Sequence, residues 1–125
     1  MKMTTLSKDI DKFFAGLGVR TSGLRWSAGR QAVDYIISQM RSESDKELSM
    51  NKIYKLLQDD FDIHRPCAES RLRRFQTDVL SSIAPYDRYL VFGEDTSSLT
   101  NHEFIYRLAK YMNDNYYIKK SLKNI

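Results

Sequence analysis

Apolar side chains recur three and four residues apart through most of the chain, and its two prolines, Pro66 and Pro85, stand where one stripe stops and the next begins. This spacing gathers apolar residues on one face of an α-helix, whereas a half-buried strand would alternate at every second position. Such alternation is scarce, with RYLVF at 88–92 its one short candidate. The pattern predicts an all-α chain of about six helices. At 125 residues it has the size of a single ordinary domain spanning 1–125, with no internal repeat, low-complexity run or dividing linker. A hydrophobic share of 42% can supply a core and 29% charged residues can cover it.

The stripes place the helices. The first is predicted from about Ser7 to Leu17, with Ile10, Phe13, Phe14 and Leu17 on one face and Gly18 as its cap. The second runs from Leu24 to Arg41 and buries Ala32, Val33, Ile36, Ile37 and Met40. SESDKE at 42–47 is a polar connector. Ser49 is expected to cap the third helix through its hydroxyl. Met50, Ile53, Leu56 and Leu57 face inward there, and Phe61 closes the helix. Pro66 suits the first turn of a fourth helix, where no N–H donor is needed. Its buried stripe is Ala68, Leu72, Phe75 and Val79. Pro85 begins a short fifth segment ending at Phe92 and Gly93. In the last helix, Thr100 and Glu103 have capping-box spacing, and Leu99 and Phe104 stand as a hydrophobic staple. Leu108, Tyr111 and Met112 continue it inward, and residues 114–125 either extend it or fray.

Formal net charge is +4 and the isoelectric point is near 9.2. The charge is uneven. Residues 1–33 carry six Lys or Arg against two Asp, residues 104–125 carry five against one, and residues 84–103 carry one Arg against four acids. A polyanionic partner is compatible with that sign, and so is an ordinary solvated surface. The one cysteine, Cys67, rules out a disulfide within the chain and fits a reducing compartment, so a cytoplasmic location is expected. No apolar run approaches a membrane span, and MKMTTLSKDIDKFF has acids where a signal peptide needs an apolar stretch.

Signals of catalysis are lacking, and neither enzyme activity, a cofactor nor a metal is expected. GLG at 16–18 has neither the further glycine nor the preceding strand of a dinucleotide loop. His64 and Cys67 are three apart, yet no second ligand pair follows and His102 stands alone downstream. Asp59 and Asp60 close a helix rather than face each other across a cleft.

The third and fourth helices, separated by DIHR, have the spacing of a helix-turn-helix over about residues 49–83, with 66–82 as the helix that would enter the major groove. Stepping about 100° per residue from Ala68 puts Ser70, Arg73, Arg74 and Thr77 on the face opposite the buried stripe. Glu69 and Arg71 fall on its flanks. Arginine, serine and threonine on one exposed face can donate to guanine edges and phosphates. Arg73 is predicted to read a base bidentately, with Glu69 orienting it or accepting from a cytosine amino group. Ser70, Arg74 and Thr77 are predicted to touch base edges or phosphates, and Arg65 a phosphate near the helix start. Lys52 and Lys55 are further phosphate candidates. Against this, QDDFD at 58–62 puts three carboxylates at the end of the third helix, and they must point away from a nucleic-acid backbone.

These motifs resemble the C-terminal DNA-binding effector domain of the sporulation-initiation response regulator of endospore-forming Firmicutes. TNHEFI at 100–105 resembles the start of that family's last helix, and LGV at 17–19 the end of its first. FG at 92–93 falls at the family's distance from the recognition helix. Glu69 and Arg73 fall on a Glu and an Arg that the family uses on DNA. The resemblance covers about residues 6–112. It implies a six-helix domain with a helix-turn-helix, acting on double-stranded DNA in transcription regulation, commonly in tandem on paired sites. The chain departs from the family at Cys67 and Ser70, where further basic residues are usual, and at Arg74, which is more basic. The segment between Gly93 and Thr100 is shorter. The receiver domain usual in the family is not in the sequence, so switching by its own phospho-acceptor is not expected.

Two other readings start from the same residues. The chain could be a helical protein-interaction module that binds another regulator or RNA polymerase. It could also bind single-stranded RNA, with Tyr86, Tyr89, Tyr116 and Tyr117 stacking on bases.

Overall fold

The computed structural model describes residues 5–41, 49–93, 96 and 99–123, the side chains of Thr5, Leu24 and 116–123 excepted. The expected connector at 42–47 and the tail's side chains beyond Asn115 lie outside that description. Within it are six helices and no strand: α1 (Thr5–Gly16), α2 (Leu24–Arg41), α3 (Met50–Phe61), α4 (Arg65–Ser82), α5 (Pro85–Phe92) and α6 (Asn101–Lys123). The stretch RYLVF is therefore helical, not a strand. It lies in α5, where Tyr89 and Leu90 are exposed and Val91 and Phe92 are buried, a pairing of neighbours that a strand would not give.

α1 ends as glycine allows. The Val19 N–H donates to the Phe14 carbonyl (3.0 Å) and the Gly18 N–H to that of Ala15 (3.1 Å), with Gly18 at φ +88°. These are the paired bonds of a Schellman turn, and they satisfy carbonyls the helix would otherwise leave open. α2 is the hub, packed against α1, α3, α4 and α6. It buries Trp26, Ala28, Ala32, Val33, Ile36 and Ile37. Asp11 of α1 accepts from Trp26 Nε1 (2.7 Å) and from Arg30 Nη1 (3.2 Å), so the tryptophan is buried with its polar atom satisfied.

α2 and α4 pack closely at Gly29. A Cβ there would lie 2.3 Å from Phe75 Cδ1. Phe75 in turn touches Trp26 (ring centroids 5.6 Å apart) and Phe104 (5.9 Å), and Phe104 stacks on Phe92 (4.8 Å). Aromatic contacts thus run without a gap from α2 through α4 and α6 to α5. At the end of α5, Arg107 Nη1 donates to the Phe92 carbonyl (2.6 Å).

Two expectations about α3 need correction. Ser49 holds the extended backbone of an N-cap (φ −110°), but its hydroxyl makes no capping bond; its carbonyl accepts from the Ile53 N–H instead (3.4 Å). Residue type favours the position, while the rotamer is a separate choice. Leu56, expected inward, is only half-buried, and Tyr54 is buried instead, because α4 and α2 cover two sides of α3.

The capping box of α6 forms in full. The Glu103 N–H donates to Thr100 Oγ1 (3.1 Å), and Glu103 Oε1 accepts from the Thr100 N–H (3.3 Å) and hydroxyl (3.0 Å). The Thr100 hydroxyl bond, then its main-chain bond, holds the Glu103 carboxyl below its ordinary pKa, with smaller help from Arg107 and His102. A depressed carboxyl stabilises the fold above its unfolded pKa, and that stability is lost as pH falls through the folded value. Thr100→Ala is expected to lower unfolding free energy by about 1 kcal/mol near neutral pH. Denaturant titrations should show the deficit shrinking once Glu103 is protonated.

Candidate nucleic-acid interface

α3 and α4 are joined by only Asp62, Ile63 and His64. Asp62 takes the left-handed conformation (φ +52°), which short acidic side chains tolerate. The Asp62 N–H and the Ile63 N–H (3.2 Å) both bond to the Gln58 carbonyl, so the chain reverses within one turn. α4 begins one residue earlier than its proline suggests, with Arg65 first and Pro66 second, still within the turn that has no N–H to satisfy.

The buried stripe of α4 is Ala68, Leu72, Phe75 and Val79, with Gln76 added. Ser70, Arg73, Arg74 and Thr77 are all exposed on the other side, as is Glu69. Lys52 and Lys55 are exposed on α3. Among the described residues, Arg73, Arg74, Lys52 and Lys55 form no ion pair and no hydrogen bond through their side chains. Thr77 Oγ1 donates back to the Arg73 carbonyl (3.2 Å), which uses its proton and leaves its oxygen as an acceptor.

Arg65 and Glu69 are arranged differently from expectation. Glu69 pairs with Arg65, one turn behind it (3.0 Å), and does not orient Arg73. Arg65 also donates to Asn51 Oδ1 (2.8 Å), and its guanidinium lies over the Tyr54 ring, 5.0 Å from the centroid. The i,i+4 spacing makes this pair local, and Tyr54 offers the cation a π face. Arg65 is thus tied to α3, with some of its donors already used, and its side chain stays about half exposed. Arg71 is half-buried over the Phe61 ring (5.4 Å) and takes no place on the exposed face.

Arg73 stands between two open grooves. One, of about 420 Å³, is lined by Tyr54, Glu69, Ser70, Arg73, Asn101 and His102 among others. The other, of about 430 Å³, is lined by Arg73, Gln76, Thr77, Leu80, Thr96 and Leu99 with Thr100. The first turn of α6 therefore borders the α4 face on the side of Arg73. Sequence spacing identified Thr100 as a cap but did not signal that Thr100, Asn101 and His102 would lie here. Of the acids in QDDFD, Asp60 accepts a hydrogen bond from Gln31 of α2, which holds that carboxylate to the scaffold.

His64 and Cys67 are both exposed, and among the described residues no three His, Cys, Asp or Glu side chains gather as a metal site. No helix of the described residues is long and apolar enough to cross a membrane. No family model, curated protein or solved structure matches the chain.

Proposed function

We propose that the chain is a sequence-specific binder of double-stranded DNA acting in transcription regulation, with α4 lying in the major groove. The observation that carries this reading is the outer face of α4: Arg73 and Arg74, exposed and without a partner among the described residues, beside Ser70 and Thr77. Unpaired guanidinium groups on a rigid helix are the donors that guanine edges and phosphates accept. The tight turn to α3 and the resemblance to the sporulation effector domain point the same way. In this reading Arg73 reads a base, Ser70, Arg74 and Thr77 contact base edges or phosphates, and Lys52 and Lys55 contact phosphates. Glu69 accepts from a cytosine amino group, and Arg65 orders Glu69 and contacts a phosphate near the helix start. The protein would work in the cytoplasm, on paired sites as two copies in tandem. Selection from a random duplex library, with the enriched site measured at two salt concentrations, tests it. Enrichment of a defined site whose affinity falls steeply with salt is expected; a library that stays random refutes it.

A second reading has its own observation. α5 exposes Tyr86 (72%), Tyr89 (54%) and Leu90 (44%), apolar surface beyond what DNA docking through α4 uses. A protein-interaction module that binds another regulator or RNA polymerase would use that surface. Capture of a partner that survives nuclease treatment, by a chain that enriches no duplex, would favour it over the first.

A further inference from the structure

Asn101 is the first residue of α6 and only 7% exposed. Burying a side-chain amide is costly unless its polar atoms are bonded. The capping of α6 is done by Thr100 and Glu103, so that task does not explain Asn101. Its amide instead bonds sideways to two other helices. Nδ2 donates to the Tyr54 hydroxyl of α3 (3.1 Å) and to the main-chain carbonyl of Glu69 on α4 (3.2 Å). Oδ1 is buried and has no partner among the described residues. An apolar residue of the same size would avoid that cost.

The place of these two bonds matters. In an α-helix, the Glu69 carbonyl is the acceptor for the N–H of Arg73, four residues on. Asn101 therefore grips the one turn of α4 that runs from Glu69 to Arg73. The grip closes a circuit. Asn101 holds Tyr54, the Tyr54 ring lies under the Arg65 guanidinium, Arg65 pairs with Glu69, and the Glu69 carbonyl returns to Asn101. Bidentate reading of a base requires the arginine's backbone to be held within about half an ångström of its docked place. Ser70 and Arg73, which line the same groove as Asn101, are carried on this gripped turn.

We propose that Asn101 is a positioning residue for base reading: through Tyr54 and the Glu69 carbonyl it sets where Arg73 is presented to the duplex. This rests on the DNA-binding reading and adds a determinant of specificity outside the helix-turn-helix pair. The amide makes no contact with DNA itself. Its replacement should therefore change preference without changing the number of phosphates neutralised.

The test is Asn101→Leu, which keeps the branched arrangement of four side-chain heavy atoms and removes the amide. Selection and binding measurements on this variant should show about tenfold loss of discrimination at the base pair read by Arg73, with an unchanged salt slope. Thermal stability should stay near that of the parent, since a buried unpartnered oxygen leaves with the bond donors. Tyr54→Phe removes only the hydroxyl and should act in the same direction by a smaller factor. It decides the question if the leucine variant does not fold. Combined with Arg73→Ala, Asn101→Leu should cost no further discrimination, because the side chain it positions is gone. A folded Asn101→Leu or Tyr54→Phe protein that keeps the parent's preference overturns the proposal and leaves DNA binding standing. A parent chain that enriches no site overturns both.

Discussion

Arg73→Ala is expected to weaken binding to the selected duplex by about 1–3 kcal/mol and to relax preference at one base pair. The expectation follows from how this side chain differs from the other arginines of α4. Arg65 is held by Glu69, Asn51 and Tyr54, and Arg71 is half-buried over Phe61. Arg73 has no such tie among the described residues and stands between two grooves. Its neighbour Arg74 is also exposed but lines neither groove. Arg74→Ala should therefore weaken binding to all duplexes alike and reduce the salt slope by about one. Arg73→Lys should behave like Arg73→Ala in preference, because a point charge cannot reproduce the planar fork. Equal loss on selected and random duplexes for Arg73→Ala would remove it as a base reader. Titrations of both variants against both duplexes, at two salt concentrations, separate the two roles.

Gly29→Ala is expected to be the most damaging single-methyl addition in the core. In an exposed helix interior this substitution gains about 1 kcal/mol of helix propensity. Here the new methyl would fall within 2.4 Å of three Phe75 ring carbons. The ring has little room to retreat, being 1% exposed and in contact with Trp26 and Phe104. Overpacking costs about 1–3 kcal/mol, so the net change should be a loss, read as a lower denaturant midpoint at unchanged slope. Phe75→Leu in the same background should recover part of it, although alone it destabilises. An increase in stability for Gly29→Ala would mean that α2 and α4 are not in contact at this point.

Much of this fold can be read from spacing, because most of what starts and stops its helices is local. The stripe Ala68, Leu72, Phe75 and Val79 lies within one helix and defines the opposite face without any knowledge of the rest. Thr100 and Glu103 cap α6 through residues three apart. Gly18 ends α1 through carbonyls within the same turn. The Arg65–Glu69 pair is also local, four residues apart on one helix. What spacing could not reveal depends on which helices meet. Tyr54 is buried because α4 lies across it. Gly29 is glycine because Phe75 fills the place of its side chain. Asn101 looks like an ordinary helix-start residue until α3 and α4 are brought to either side of it. Ser49 shows the converse limit: the residue stood at the right position, but its hydroxyl did not make the bond.

The chain has one tryptophan, and it is Trp26. Its ring is 3% exposed and sits between Phe14 of α1 and Phe75 of α4, with its N–H bonded to Asp11. The protein therefore carries a built-in optical gauge, needing no attached dye, on the underside of the helix proposed to read DNA. Its emission should be that of a dry indole in the folded state and shift to longer wavelength when α1 or α4 lifts from α2. Because α4 is presented to the duplex from the other side, the gauge can follow the scaffold while the outer face is mutated or occupied.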